Sequence, residues 1–250
     1  MLDSMSTGML DMGIITSGPF VNFSEAMGVL DMPYLFANNE EAYKVFDGEI
    51  GRELLDSLED AGLKGLAYAE RGFRNVTNSV RPVNNADDLA GLKLRVMENE
   101  VYTATFKALK VNAVPMAWAE ALTAMQQGTI EAQENPLAMI ETQSFYEVCP
   151  YLILTAHLRA WVYIAMGLTQ YNRLSDSQRA VVDAAGAECQ AHEHELFLDN
   201  EEKYYNQLQE QGMEFIEVDT KEFADAMISG VLPVLTDSQK KIYDEIEALA

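Results

Sequence analysis

The sequence predicts an α/β protein, and three features of its pattern carry that expectation. Short apolar segments alternate with helical periodicity between residues 92 and 143. Residues 151–167 form a stretch rich in β-branched and aromatic side chains, long enough for two strands or for one that crosses between lobes. At 250 residues, with 48% hydrophobic and 23% charged content, the chain can bury the core of one large domain or of two modest lobes.

Taken in order, residues 2–7 read as the end of a helix closed by Gly8. Residues 9–15 read as a buried strand that runs into the turn-prone Thr16-Ser17-Gly18-Pro19. Ser24 is placed to cap a short helix over 25–30, and Asn38 or Asn39 to cap the next, with Glu40 and Glu41 at its positive end. A helix is expected over 48–61, ended by Gly62. Strands follow at 63–69 and 75–80, on either side of Arg71-Gly72-Phe73-Arg74. A strand at 92–96, a helix from Asn99 to about 109, a strand at 111–115, a helix over 118–127 and a strand at 129–133 come next. Asn135-Pro136 reads as a helix start, since proline suits the first helical position. Ser175 caps a long helix that reaches about residue 211, and a strand at 213–218 precedes the closing helices.

Residues 2–12 and 122–132 match in pattern: helix, then glycine, then an apolar strand bearing an acid at the same place. The second copy is preceded by a strand–helix–strand unit and the first by nothing. A duplication would therefore leave such a unit, and any export signal, outside the N-terminus, and would expose sheet edge and apolar surface.

Charge narrows the function. The net charge of −23 argues against nucleic acid or an anionic membrane as partner and favours a monomer. Twelve acids face two lysines between Glu188 and Asp225, as on a solvated helical surface, yet five of the 17 bases fall between Arg71 and Arg95. A local cationic site on an acidic chain suits a specifically held anion. Gly91-Leu92-Lys93-Leu94-Arg95-Val96 delivers one guanidinium to a strand's carboxyl end, where ligands of open α/β sheets sit. Arginine grips a carboxylate through paired hydrogen bonds.

Further motifs lie at Pro115-Met116-Ala117-Trp118-Ala119-Glu120, Gln133-Glu134-Asn135-Pro136 and Phe145-Tyr146-Glu147-Val148. In this order and spacing the chain resembles the extracytoplasmic solute-binding subunits of tripartite ATP-independent periplasmic (TRAP) transporters, the DctP-like family. The resemblance covers nearly the whole chain. It implies a two-lobed type II periplasmic-binding fold with a long helix crossing both lobes. Lobe I is expected at 1–75 plus about 165–200, and lobe II at 76–160 plus about 201–250. It also implies a periplasmic location, a small carboxylate ligand (sugar acid, hydroxy acid or dicarboxylate), and membrane permease subunits as partners.

By the same resemblance Arg95 forms the bidentate bridge to the ligand carboxylate and Arg74 a second contact, with Arg71 and Arg81 as alternatives to Arg74. Asn135 is similar to a hydrogen-bonding partner and Trp118 to an apolar wall. Glu98 and Asn99, just past Arg95, could meet ligand hydroxyls or cap a helix. Alternate members of His157, Arg159, Trp161 and Tyr163 should face the cleft. No cofactor or metal is implied: His192 and His194 sit about 200° apart on a helix and cannot share one ion. Cys149 and Cys189 read as buried small hydrophobes. The rival reading is an enzyme using Glu98, Glu134 and His157 for acid–base chemistry on an organic acid, although the sequence has no phosphate loop or nucleophile elbow. A receptor that feeds a sensor kinase is a third.

Overall fold

A computed structural model describes residues 1–249. The regular elements of the first half are α1 (Leu2–Ser6), β1 (Met12–Thr16), α2 (Asn39–Phe46), α3 (Glu49–Asp56), β2 (Leu63–Asn78), β3 (Lys93–Val96), α4 (Glu100–Ala108) and β4 (Asn112–Pro115). The second half adds α5 (Trp118–Gln126), β5 (Ala132–Pro136), α6 (Leu137–Thr142), β6 (Tyr151–Gly167), α7 (Leu168–Arg173), α8 (Asp176–Glu210), β7 (Glu214–Ile216), α9 (Thr220–Val231) and α10 (Asp237–Glu247). The strands form one mixed sheet in the order β1-β6-β2-β5-β3-β4, with β7 alongside β6.

The two long strands organise everything else. β2 and β6 run antiparallel from Leu63 opposite Gly167 to Asn78 opposite Tyr151. β1 joins β6 over residues 162–166, whereas β5 joins β2 over residues 74–78 and β7 joins β6 over residues 151–153. The stretch at 151–167 is thus a single strand that serves both lobes. In the first lobe Phe20, Leu30, Phe46, Tyr68, Trp161 and Tyr163 share a core. In the second, Leu152 and Ile153 are adjacent on β6 yet enter different clusters, one around Ile140, Phe145 and Leu208, the other around Tyr102, Phe106 and Phe223. Successive strand residues face opposite ways, so this part of the sheet has a core on each side.

Helix α8 is the other bridge. The Ser175 hydroxyl accepts from the Gln178 amide, and the Gln178 side chain accepts in return from the Ser175 amide, a reciprocal cap. The helix then runs unbroken. Gln190 Oε1 and Glu193 Oε2 accept from the β2 amides of Tyr68 and Glu70 at 2.8 and 2.7 Å, while Leu208 is buried in the second lobe. His192 and His194 point apart as their spacing requires: His192 is exposed and His194 stacks on Tyr43 with ring centroids 3.9 Å apart.

Several expectations are corrected. β1 is an edge strand, not a buried one; Met9, Met12 and Ile14 are exposed, Ile14 at 63%. Ser24 does not cap the following 3-10 helix, because its hydroxyl meets that of Ser57 at 2.7 Å. β5 lies three residues later than expected, so Asn135 and Pro136 belong to the strand and the helix opens at Leu137. Cys189 is exposed on α8, although Cys149 is buried. α10, expected with the second lobe, packs Ile242, Tyr243 and Ile246 into the first-lobe core, and the Gln239 amide donates to the Glu25 carbonyl at 2.8 Å. The paired segments 2–12 and 122–132 fold alike: Gly8 and Gly128 both take left-handed φ, 81° and 67°, and each strand begins four residues later.

The expected break at Arg71–Arg74 is instead a bulge in continuous β2. The register against β6 slips between Glu70 and Gly72, and Gly72 holds φ 85°. An added Cβ would lie 2.9 Å from both Phe197 Cζ and Glu201 Oε1 of α8. Glycine is needed here for the backbone and for the helix at once. Gly72→Ala should therefore lower unfolding stability by about 1–3 kcal/mol, and a denaturant midpoint unchanged from wild type would contradict this account.

Candidate functional site

The irregular middle of the β2–β6 pair leaves backbone groups to be satisfied by side chains, and this determines what the site is made of. Opposite Asn75 the pairing jumps from Leu158 to Ile153, and Ala156 takes φ 43°. The Asn75 side chain accepts from the Ala156 amide at 2.9 Å, Thr155 Oγ1 lies 3.3 Å from the Val76 amide, and the Tyr34 hydroxyl donates to the Thr155 carbonyl at 2.7 Å. His157 sits in this segment. Its Nδ1 is 2.8 Å from Thr155 Oγ1 and its Nε2 is 3.2 Å from Glu134 Oε2. Burial lowers the His157 pKa against the pull of Glu134, so the imidazole is neutral and donates to the carboxylate.

Glu134 in turn holds Arg74. Nε of Arg74 pairs with Glu134 Oε2, and Nη2 donates to Glu134 Oε1 at 2.9 Å and to the Glu134 carbonyl at 2.7 Å. Nη2 also reaches Asn135 Oδ1 at 3.2 Å, and Nη1 takes no part in these bonds. Burial opposes the charge on Glu134, yet Arg74 and the His157 hydrogen bond outweigh it and hold the carboxyl at about 2. Burial likewise opposes the charge on Arg74, which Glu134 more than restores.

Beside this pair opens a cavity of about 460 Å³, a size that suits a small ligand. It collects residues from both lobes and from the strands that join them. The first lobe contributes Ile14, Ile15, Thr16, Pro19 and Asn22; the second contributes Arg95, Met97, Glu98, Met116 and Trp118; Arg71, Arg74, Asn135 and Met139 lie on the connecting strands and α6. Arg95 reaches it from the carboxyl end of β3. Its Nε and Nη2 both donate to the Met116 carbonyl, at 2.9 and 2.7 Å, which fixes the guanidinium plane and leaves Nη1 out of those bonds. The indole of Trp118 lies with its ring centre 5.5 Å from Arg95 Cζ, and Trp118 packs on Phe145. Burial depresses the Arg95 pKa, although Glu134 counteracts this.

Of the residues singled out by sequence, Arg95, Arg74, Trp118, Asn135 and Glu98 converge on this cavity. Asn99 does not. Its side chain caps α4 through the Val101 amide and donates to Asp31 Oδ2 at 2.8 Å and to the Gly18 carbonyl at 3.3 Å. Asn135 is no helix cap; its side chain lies between Gln133 and Arg74. Arg81 is removed from the cavity by bonds to the carbonyls of Asp88 and Ala90. None of His157, Arg159, Trp161 and Tyr163 lines it: Arg159 pairs with buried Glu70 and donates to Asn39 at 2.6 Å, and the two aromatics are core. The methionines of the wall were missed because an apolar residue in a pocket has the same sequence signature as one in a core.

Asp31 was also missed. It is buried between the lobes, where the Ser17 hydroxyl donates to Oδ1 at 2.6 Å and Asn99 of α4 donates to Oδ2. Burial raises its pKa to about 7, against the bonds from Ser17 and Asn99 and the charge of Arg74.

Two predictions follow from the buried charges. Glu134→Ala leaves Arg74 buried without its counter-charge and should cost about 3–5 kcal/mol in a denaturant titration; a loss below 1 kcal/mol would mean that water reaches Arg74. The second concerns pH. Between its ordinary value of 3.8 and about 7, Asp31 is protonated in the native state and ionised in the unfolded one. Its contribution is thus full below 3.8 and falls as pH rises to about 7, by up to about 1.4 kcal/mol per unit. Glu134 acts oppositely: its contribution is present above 4.5 and lost as pH falls toward 2. Asp31→Asn should flatten the decline of Tm from about pH 4 to 7, and an unaltered slope would assign that decline to other groups.

Comparison with known proteins identifies the family. The family model described as bacterial extracellular solute-binding protein, family 7 (DctP) matches residues 1–241. The 2,3-diketo-L-gulonate-binding periplasmic protein YiaO of Escherichia coli K12 is 36% identical over 229 residues, spanning 91% of this chain and 70% of YiaO. A TRAP periplasmic solute-binding protein of Polaromonas sp. JS666, solved bound to D-erythronate, superposes with a TM-score of 0.94 at 35% identity, covering 99% of this chain and 82% of that one. One from Roseobacter denitrificans OCh 114, solved with L-galactonate, gives 0.92 at 32% identity, covering 99% and 81%. With the two-lobed fold, the crossing helix and the arginine-lined cavity in place, the chain belongs to the DctP family of extracellular solute-binding proteins.

Proposed function

We propose that the cavity binds a sugar acid, or a hydroxy acid of similar size, by its carboxylate, and that the chain is a non-catalytic receptor delivering this ligand to the membrane subunits of a TRAP transporter in the periplasm. The observation that carries the reading is Arg95. Its guanidinium is buried, held rigid by a backbone carbonyl and backed by Trp118, and it enters no ion pair with a carboxylate among the described residues. A pre-oriented cation of this kind binds a carboxylate with little loss of side-chain freedom. Because Nε and Nη2 already share the Met116 carbonyl, the carboxylate approaches the Nη1–Nη2 end. Asn135, Thr16, Asn22 and Glu98 supply hydrogen-bonding groups for hydroxyls, and Trp118 with the methionines supplies an apolar wall.

Binding is favoured over acid–base catalysis by where the candidate acids and bases lie. Glu134 and His157 are fully buried and bonded to Arg74, Thr155 and each other, and neither lines the cavity. Glu98 is left alone at the exposed rim. The ligands of YiaO and of the two solved relatives are sugar acids, which supports the ligand class.

Each charge-assisted bond is worth about 1.5–3 kcal/mol, so Arg95→Ala should weaken binding of an aldonate such as galactonate by about 100-fold or more with the fold intact. Arg95→Lys, which keeps the charge without the fork, should fall between the two. Calorimetry together with circular dichroism reads both, and a folded Arg95→Ala protein that binds as wild type would refute the anchor.

A further inference from the structure

Arg71 is the cation of the cavity that the reading above does not use. It lies on β2 three residues before Arg74, and in a regular strand residues three apart face opposite sides of the sheet. Here both line the same cavity, because the register slip at Glu70–Gly72 and the left-handed backbone of Gly72 re-aim the chain between them. The bulge therefore brings a second guanidinium into the site.

Among the described residues it has no ion-pair partner. The guanidinium is largely withdrawn from water, and its one hydrogen-bond contact among the described residues is Nη2 to Met139 Sδ at 2.6 Å. A thioether is a weak, uncharged acceptor. No carboxylate among the described residues lies within ion-pairing distance of it, whereas Arg74 has Glu134 and Arg159 has Glu70. Burial lowers its pKa, and the neighbouring Arg74 charge lowers it further. With the Arg74 charge matched by Glu134, the cavity retains two cations with no ion-pair partner among the described residues, Arg95 and Arg71. Glu98 offsets little, because it sits in solvent at the rim.

Position separates the two. β5 lies between β2 and β3 in the sheet, so the strands that carry Arg71 and Arg95 are about 10 Å apart. Arg71 and Arg95 thus enter the cavity from different strands, as the two ends of a short acid require. We propose that Arg71 is a specificity-determining residue that receives a second anionic group at the far end of the ligand, so that the site takes a sugar diacid in preference to the mono-acid of the same skeleton. The proposal rests on the organic-acid reading of the cavity, with Arg95 gripping the first carboxylate.

The test compares galactarate with galactonate, which share six carbons and differ in a terminal carboxylate against a terminal alcohol. Titration calorimetry on the purified full chain should show galactarate bound tighter by about tenfold or more, the worth of one charge-assisted bond. In Arg71→Gln that preference should shrink to near one, and Arg71→Lys should keep part of it. Raising salt should erode the wild-type preference and leave the variant's ratio unchanged. A wild-type preference for galactonate, or a preference that survives in Arg71→Gln, overturns the proposal. So does a variant that loses both ligands in equal proportion, which would make Arg71 structural. Arg95→Ala separates the two levels. If it abolishes binding while Arg71→Gln leaves the preference intact, only the diacid proposal fails; if it binds both acids normally, the underlying reading of the site fails with it.

Discussion

The Arg74–Glu134–His157 chain is the interaction on which the rest depends. The pairing of β2 with β6, the strands that both lobes share, is irregular in its middle, and the irregular segment of β6 carries His157 into the interior. A neutral imidazole, a carboxylate and a guanidinium then satisfy one another in a medium where none could stand alone. Breaking the set is expensive, because each member removed leaves another uncompensated. The result is a charged floor that is rigid and electrically balanced.

That balance gives meaning to the cations above it. Arg95 is bonded to a carbonyl and Arg71 touches a thioether, and neither pairs with a carboxylate among the described residues. The four arginines of the cationic segment are thus divided by the fold into three parts. One arginine builds the floor, two face the cavity with no ion-pair partner among the described residues, and Arg81 turns away to tie down the carbonyls of the loop that precedes β3.

Much of this was legible in the chain. The Leu-Arg-Val strand, the helix behind it, the Ser175 cap and the length of α8 follow from local rules that the tertiary structure does not override. Arg95 was visible from its place at a strand end and Trp118 from the resemblance of its motif, and both line the cavity. What failed did so for physical reasons. Asn135-Pro136 has the chemistry of a helix start, but pairing with Arg74 and Asn75 of β2 extends the strand through it. Asn99 stood open between a ligand contact and a helix cap, and the fold takes the cap, since α4 and Asp31 use its side chain. Asp31 itself lies in an apolar run with no motif around it, and its partners Ser17 and Asn99 are 14 and 68 residues away. Met97, Met116 and Met139 could not be told from core by any local signal.

Helix α8 has a mechanical consequence. Rising about 1.5 Å per residue, its 35 residues make a rod of roughly 50 Å, anchored beside Tyr68 and Glu70 at one level and by Leu208 at another. β2 and β6 join the lobes at two points, and α8 joins them at a third that lies off the line of the strands. Three attachments of this kind forbid free swivelling. Any closing motion of the lobes must flex the rod or slide one end of it, so the helix acts as a leaf spring whose stiffness enters the free energy of every ligand that closes the cleft.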